Sequence, residues 1–321
     1  MPGITTDRAA AGAVTIHPLD PQDAEVTAAI RAIAGPSKGV SRGIAARDQF
    51  DALMEGVLPR DDVVFEADAL GGVPGLWVHP RDCRSDEAIL HLHGGWFNFG
   101  SAKAFRHLVG HIAARAGAKA FVPDYRLAPE HPFPIATDDV AACYRALAAR
   151  GVGRIALTGD SAGGNLALGF ASRPLRGDVW THATLVGVAV LSPVTDLTLS
   201  GATYATRAEA DPFFTRPQIE QLVHAYLGAA DPKHPLASPL YGRFHGMPPV
   251  RIHVGDDEVL LDDSRRYAEK AMAAGVDARL DIWMGMPHGF NGSIGRLKAA
   301  AQAMDAVGTF LRDQLRGRAN R

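Results

Sequence analysis

The 321-residue chain is close to neutral, with 33 lysines and arginines against 35 aspartates and glutamates, and 47% of its residues are apolar. This composition excludes a strongly basic nucleic-acid-binding protein and an acidic disordered chain. The apolar run at residues 184–191 is far shorter than the roughly 20 residues of a membrane-spanning helix. Residues 1–14 lack the charged-then-apolar pattern of a signal peptide. We therefore expect a cytoplasmic protein with no membrane or nucleic-acid partner.

The first 55 residues carry two helical patterns, at residues 23–34 and 45–53, and no strand pattern. Downstream, apolar runs predict eight strands, at residues 63–67, 75–79, 88–92, 119–123, 154–158, 185–191, 250–254 and 279–284. Between them, amphipathic segments predict helices at residues 104–116, 137–149, 162–171, 216–227, 264–274 and 297–315. This alternation predicts an α/β fold with an eight-stranded, mostly parallel sheet flanked by helices.

Two regions do not follow the alternation and predict an appended helical cap. One is the helical segment 1–55, and the other is about 195–240, where two strands are separated by more residues than a plain crossover needs. The domain prediction is therefore an N-terminal part of the cap at 1–55 and an α/β domain at 56–321 that contains the second cap segment.

The most informative motif is Gly159-Asp-Ser161-Ala-Gly163, which follows a predicted strand and opens a predicted helix. A serine on a sharp strand-to-helix turn needs glycines on both sides, because larger side chains would collide with neighbouring backbone. Such a nucleophile elbow holds the hydroxyl at the carboxyl end of the sheet. Because a glycine-rich turn at a helix start can produce the same pattern, the assignment of Ser161 as nucleophile depends on the motifs around it.

A second glycine turn, residues 93–96 (His-Gly-Gly-Trp), follows another predicted strand 68 residues before Ser161. Attack on an acyl carbonyl places negative charge on its oxygen, and preorganised N–H donors stabilise that charge. We expect one donor to be the N–H of Ala162, the residue after the nucleophile, and the others to come from this glycine turn.

Metal and redox chemistry are not expected. His91 and His93 share one face of a strand, but no third ligand follows nearby. Cys83 and Cys143 are too isolated for a metal or redox motif and are expected to be small apolar residues. The prediction is no metal and no cofactor.

A serine nucleophile needs a base, and the base needs an orienting carboxylate. His288 follows the last predicted strand, and an acidic loop at 256–263 follows the strand before it. Both loops should reach the same sheet edge as Ser161. The residues alone leave the carboxylate open, since the loop offers Asp256, Asp257, Asp262 and Asp263.

Together these motifs resemble those of the bacterial hormone-sensitive-lipase-like (family IV) esterases of the α/β-hydrolase superfamily. The matching segments are residues 93–95, 124–134, 159–164, the acidic loop at Asp257, and 288–290. The resemblance implies the α/β-hydrolase fold, Ser161 as nucleophile, His288 as base and Asp257 as its orienter.

The resemblance also implies an oxyanion hole from the backbone N–H groups of Gly94, Gly95 and Ala162. Two features depart from the family. Trp96 stands where the family commonly has a third glycine, so that any donor there is its backbone N–H. The acidic loop is one residue longer than the family's Asp-Pro-Leu-x-Asp when it is counted from Asp257.

The activity implied by the resemblance is hydrolysis of short- to medium-chain carboxylic esters through an acyl-enzyme, in a covered apolar pocket. Pocket candidates are Trp96, Phe97, Phe99, Phe213, Phe214 and Phe290. A lactone hydrolase or an amide deacetylase would use the same residues. A non-catalytic small-molecule receptor, like the gibberellin receptors that lost the histidine, is disfavoured by His288. Analogy with relatives that pair through the sheet edge suggests a homodimer.

Overall fold

A nine-stranded sheet forms the centre of the computed structural model, which describes residues 13–40, 43–173 and 183–317. Its strands are β1 (Val14–His17), β2 (Val63–Leu70), β3 (Val73–Pro80), β4 (Glu87–Leu92), β5 (Ala120–Pro123), β6 (Arg154–Asp160), β7 (Thr184–Leu191), β8 (Val250–Gly255) and β9 (Ala278–Trp283). The strand order is β1-β9-β8-β7-β6-β4-β5-β3-β2. Strand β3 runs antiparallel to β2 and β5, whereas the pairs from β5 through to β1 are parallel.

All eight predicted strands are present, but the prediction of an N-terminal segment without a strand is wrong. Strand β1 pairs in parallel with β9, from Val14 opposite Leu280 to His17 opposite Trp283. Its first three side chains are exposed, so the segment lacks the alternation of a half-buried strand. Backbone pairing with the edge of β9, together with stacking of His17 on Trp283 at 3.8 Å, places this ninth strand.

The helices are α1 (Pro21–Ala34), α2 (Arg47–Glu55), α3 (Ala102–Ala116), α4 (Ile135–Ala149), α5 (Ala162–Ala171), α6 (Thr203–Thr206), α7 (Arg216–Leu227), α8 (Leu261–Ala273) and α9 (Lys298–Leu315). Every predicted helix is found, and among the α-helices of the described residues only the one-turn α6 has no counterpart in the prediction. Local capping explains both ends of α3: the Ser101 hydroxyl accepts a hydrogen bond from the Ala104 N–H, and the helix ends at Gly117 in a left-handed conformation.

The central strands are buried on both faces, which explains their nearly continuous apolar runs. In β4, Leu90 and Leu92 pack into the core that contains α4, α5 and α8, while Ile89 points to the core that contains α3 and α9. Because the central strands are parallel, the loops after β4, β6, β7 and β8 leave the sheet at the same edge. Within the described ranges, no helix combines the length and the apolar character needed to span a membrane.

Candidate active site

Ser161 lies at the carboxyl end of β6, directly before α5, with φ 53° and ψ −118°. This positive φ is strained for a residue with a side chain, and the surrounding packing maintains it. A Cβ on Gly163 would lie 1.8 Å from the Leu92 carbonyl oxygen, and one on Gly159 would lie 2.4 Å from the Gly163 backbone. The two glycines therefore allow three backbone segments to converge beneath the serine, which is the geometry of a nucleophile elbow.

A histidine–carboxylate pair lies on the loops after β8 and β9. The Nδ1 atom of His288 is 2.7 Å from Oε2 of Glu258, whose side chain is fully buried. The other carboxylate oxygen, Oε1, accepts hydrogen bonds from the Ser192 hydroxyl and the Gly255 N–H, both at 2.6 Å. Three donors thus hold the carboxylate in one orientation, and the carboxylate in turn orients the imidazole.

The expectation that Asp257 orients His288 is therefore corrected to Glu258. The Asp257 side chain forms an ion pair with Arg31 of α1, whereas His288 Nδ1 is hydrogen-bonded to Glu258. Burial raises the pKa of Asp257, the neighbouring Asp256 raises it further, and Arg31 opposes both effects. Adjacent residues of this turn face different partners, and the longer glutamate side chain is the one that reaches the histidine.

A sequence signal for Glu258 does exist. Counted from Glu258, residues 258–262 read Glu-Val-Leu-Leu-Asp, which matches the spacing of acid-x-Leu-x-Asp without the extra residue. The resemblance points to Asp257 instead because the family pattern Asp-Pro-Leu-x-Asp begins with an aspartate. Either carboxylate can accept a hydrogen bond from the histidine Nδ1–H.

Ser161 and Glu258 are hydrogen-bonded to consecutive residues at the end of β7. The N–H of Ser161 donates to the Leu191 carbonyl at 2.8 Å, and the hydroxyl of the next residue, Ser192, donates to Glu258. Since β6 and β8 flank β7 on opposite sides, this strand end holds both side chains at one edge of the sheet.

The glycine turn after β4 supplies N–H groups, but the Gly94 assignment is corrected. The Gly94 N–H donates to Oδ1 of Asp160 at 3.1 Å and is therefore occupied. In contrast, the backbone N–H groups of Gly95, Trp96 and Ala162 make no hydrogen bond to any residue that the structure describes. Free donors from two loops are what an oxyanion hole requires.

Trp96 takes the third glycine position by adopting a glycine-like backbone conformation, with φ 50°. The amide of Asn98 holds this residue by donating to the Trp96 carbonyl at 2.5 Å and to the Leu222 carbonyl of α7 at 3.1 Å. Arg47 of α2 donates in turn to the Asn98 carbonyl at 2.8 Å. The N-terminal segment and α7 therefore both brace the turn that presents the free N–H groups.

His91 and His93 are buried supports of this turn. The Nδ1 of His91 is 2.8 Å from the Thr158 hydroxyl, and the Nδ1 of His93 is 2.9 Å from the Gly94 carbonyl. Burial lowers the pKa of His93 to about 4, so its ring is neutral at physiological pH. Among the residues with described positions, no cluster of three or more potential metal ligands is found.

The aromatic candidates for the pocket divide into two groups. Phe214 is half-buried, with its ring centroid 5.6 Å from Trp96 and 5.0 Å from His288, and Phe213 is also half-buried beside it. Phe97 instead stacks on a tyrosine at 3.7 Å, and Phe290 packs in the core that contains α9; their side chains are 1% and 2% exposed. Phe97 and Phe290 therefore pack in the core, and a role for either of them in the pocket stays a prediction.

Contacts join the N-terminal segment to the 195–240 segment. Lys38 donates to the carbonyls of Ala208 and Asp211, and the Gly39 N–H donates to the Phe213 carbonyl at 3.0 Å. Arg207, from the 195–240 segment, lies 3.7 Å from the Asp256 carboxylate in the acidic loop. The two segments thus contact each other, and the second of them reaches the loop that carries Glu258.

The protonation of His288 is set by opposing effects. Burial acts to lower its pKa, but the charge and hydrogen bond of Glu258, with further contributions from Asp211 and Asp160, raise the pKa above the ordinary 6.5. The imidazolium formed when the histidine takes a proton is thus stabilised, while the neutral base remains the form needed for catalysis.

We expect the acid limb of the pH profile of kcat/KM to have its inflection above pH 6.5. Protonation of His288 removes the base, and a raised pKa moves that loss to higher pH. Initial rates with a neutral ester from about pH 5 to about pH 9 measure the inflection. A profile that stays flat below pH 6.5 would contradict a histidine base held by Glu258.

A strained serine elbow, a histidine–glutamate pair and free N–H donors at one sheet edge form the arrangement of a serine hydrolase on an α/β fold. A family model described as alpha/beta hydrolase fold matches residues 89–292. The chain is 37% identical to an acetyl-hydrolase of Streptomyces hygroscopicus, covering 79% of this chain and 83% of that protein. It is 33% identical to an esterase of Acinetobacter venetianus, covering 75% of this chain and 79% of that protein.

The crystal structure of an esterase from the bacterial hormone-sensitive lipase family superposes with a TM-score of 0.83 at 37% identity, covering 92% of this chain and 99% of that chain. The chain therefore belongs to the α/β-hydrolases, and within them to the bacterial hormone-sensitive-lipase-like esterases.

Proposed function

We propose that the protein is a serine carboxylesterase in which Ser161 is the nucleophile, His288 the base and Glu258 the orienting carboxylate. The observation that carries the proposal is the 2.7 Å contact between His288 Nδ1 and the buried Glu258. The end of β7 is hydrogen-bonded both to Glu258 and to Ser161. An imidazole held in this tautomer presents Nε2 as the proton acceptor that a serine hydroxyl needs.

The chemistry proceeds in two acyl-transfer steps. Ser161 Oγ loses its proton to His288 Nε2 and bonds to the ester carbonyl carbon, whose oxygen becomes negatively charged. The N–H groups of Gly95, Trp96 and Ala162 stabilise this oxyanion. His288 then protonates the departing alcohol, leaving an acyl-serine that water hydrolyses by the same sequence.

We further propose that the substrates are short- to medium-chain esters. The supporting observations are the wall formed by Phe214 with Trp96 and His288, and the hydrogen bonds that join residues 38–39 to residues 208–213. These two segments would form a cap, which limits the room for a long acyl chain. Lactones and amides could be attacked by the same residues, but no contact among the described residues favours them over linear esters.

Hydrolysis of p-nitrophenyl esters from acetate to palmitate tests the proposal. We expect kcat/KM to be highest for the short and medium chains and to fall steeply for the longest. The Ser161→Ala variant should lose the activity by about 10⁴-fold or more, because the nucleophile is removed. Hydrolysis of palmitate but not acetate would reject the chain-length proposal.

Mass spectrometry after incubation with a fluorophosphonate provides a test that does not depend on the substrate. A single adduct should form on Ser161, disappear in Ser161→Ala and form slowly in His288→Ala. Ser172→Ala is the matched control, because among the described residues that hydroxyl donates to the Gly169 carbonyl of α5. If the wild-type chain stays unlabelled, the proposal that Ser161 is an activated nucleophile is rejected.

A further inference from the structure

Asp211, in the 195–240 segment, is a fully buried carboxylate that contacts two separate parts of the site. Its Oδ1 accepts hydrogen bonds from the N–H groups of Phe213 and Phe214, at 2.9 and 3.0 Å. Its Oδ2 accepts a hydrogen bond at 3.0 Å from the N–H of Val259, the residue that follows Glu258. The first pair is a local turn, but the third bond joins segments 48 residues apart.

Of the residues that Asp211 joins, Phe214 contacts His288 directly and Val259 lies next to a residue that does. Phe214, held through its backbone by Asp211, packs edge-on against the His288 ring at 5.0 Å. Val259, held by the other oxygen, directly follows the glutamate that bonds His288 Nδ1. One carboxylate therefore fixes both the ring that packs on the base and the loop that orients it.

Charge supplies a second connection. Three carboxylates act on His288 to favour its protonated form, those of Glu258, Asp211 and Asp160. Of these three carboxylates, Glu258 is the one that is hydrogen-bonded to the His288 ring. Burial raises the pKa of Asp211, while its N–H donors and His288 oppose that rise. Lys38 contacts Asp211 through the backbone carbonyl, not through the carboxylate.

We propose that Asp211 is a positioning residue that couples the aromatic wall of the pocket to the histidine–glutamate pair. The inference rests on the proposed function and extends it to a residue outside the triad. A substrate that displaces Phe214 would also shift Glu258 and His288, because the Asp211 carboxylate is hydrogen-bonded both to the Phe214 N–H and to the Val259 N–H beside Glu258.

The Asp211→Asn variant tests the coupling. Asparagine keeps the shape of the aspartate side chain but removes its negative charge. Its NH₂ group would face one of the backbone N–H groups that now donate to the carboxylate, so that hydrogen bond is lost. We expect KM to rise, kcat to fall by about tenfold or more, and the acid inflection of kcat/KM to move to lower pH. The Asp211→Glu variant keeps the negative charge. Its acid inflection should therefore lie closer to that of the wild type than the inflection of Asp211→Asn does.

Asp23→Asn is the matched control. Asp23 is also a buried carboxylate that accepts two backbone N–H groups, those of Lys298 and Ala299 at the start of α9. This variant should lose a comparable amount of stability while its pH profile and KM stay unchanged. An Asp211→Asn variant that loses only stability, with an unchanged pH profile and KM, would reduce the residue to a structural role and overturn the proposal.

An NMR titration of the unmodified protein separates this inference from the proposed activity and does not require Asp211→Asn to fold. The carboxyl ¹³C shift of Asp211 should show an inflection at the pH where the His288 ring titrates, and the inflection should disappear in His288→Gln. No substrate is needed, so an inactive wild-type chain would count against the esterase proposal alone. A flat Asp211 shift through the His288 titration would overturn the coupling.

Discussion

Replacing Glu258 by glutamine is expected to lower kcat by about 10⁴-fold, the size of effect seen when the orienting carboxylate of a serine hydrolase becomes an amide. The amide would turn a donor toward His288 Nδ1 or toward the Ser192 hydroxyl, both of which now face carboxylate oxygens. The imidazole would then favour the wrong tautomer and fail to accept the serine proton. Steady-state kinetics with a short-chain ester measure the loss.

Asp257→Asn is the matched control, one residue away in the same loop. Its partner Arg31 has 31% of its side chain exposed, and such partly solvated pairs contribute little. We expect kcat to change by less than about threefold. A collapse of kcat in Asp257→Asn together with near-normal kcat in Glu258→Gln would restore Asp257 as the orienter and contradict the geometry.

Replacing Gly163 by alanine is expected to destabilise the protein by about 3 kcal/mol or more and to abolish activity. The added Cβ would lie 1.8 Å from the Leu92 carbonyl oxygen and 2.5 Å from that of His93. These atoms are backbone at the start of the glycine turn, so they cannot move aside without displacing the N–H donors that follow them. Thermal unfolding and esterase assays measure the two effects.

Gly153→Ala is the control for this prediction. A Cβ at Gly153 would meet no atom within 4 Å, and the residue lies outside the left-handed region of φ. We expect the free energy of unfolding to change by less than about 0.5 kcal/mol and kcat to be unchanged. Equal stability of the Gly163→Ala and Gly153→Ala variants would show that the elbow is looser than the structure indicates.

Much of the fold could be predicted because its signals are local. The buried central strands appear as continuous apolar runs, and helices such as α3 carry their own caps at Ser101 and Gly117. Strand β1 carries no such signal, since its exposed side chains bury little and its partner β9 is more than 260 residues away. Its pairing depends on an open sheet edge, which exists only after the rest of the sheet has formed.

Tertiary contacts likewise decided which backbone N–H groups are hydrogen-bonded and which aromatic side chains lie beside His288. The sequence does not reveal that the Gly94 N–H is taken by Asp160, because those residues lie 66 positions apart. Nor does it separate Phe214, which faces His288, from Phe97, which stacks on Tyr226, since an aromatic residue suits a pocket or a core equally well.

The sequence by itself predicted a serine hydrolase, through a serine between glycines, a histidine after the last strand and an acidic loop before it. Steric requirements of the elbow and the chain order of the loops are local properties, so they can be recognised in a linear pattern. Only the tertiary structure decided which carboxylate meets His288. Asp257 and Glu258 are adjacent in the chain, and the choice between them depends on where Arg31 and Ser192 lie in the folded protein.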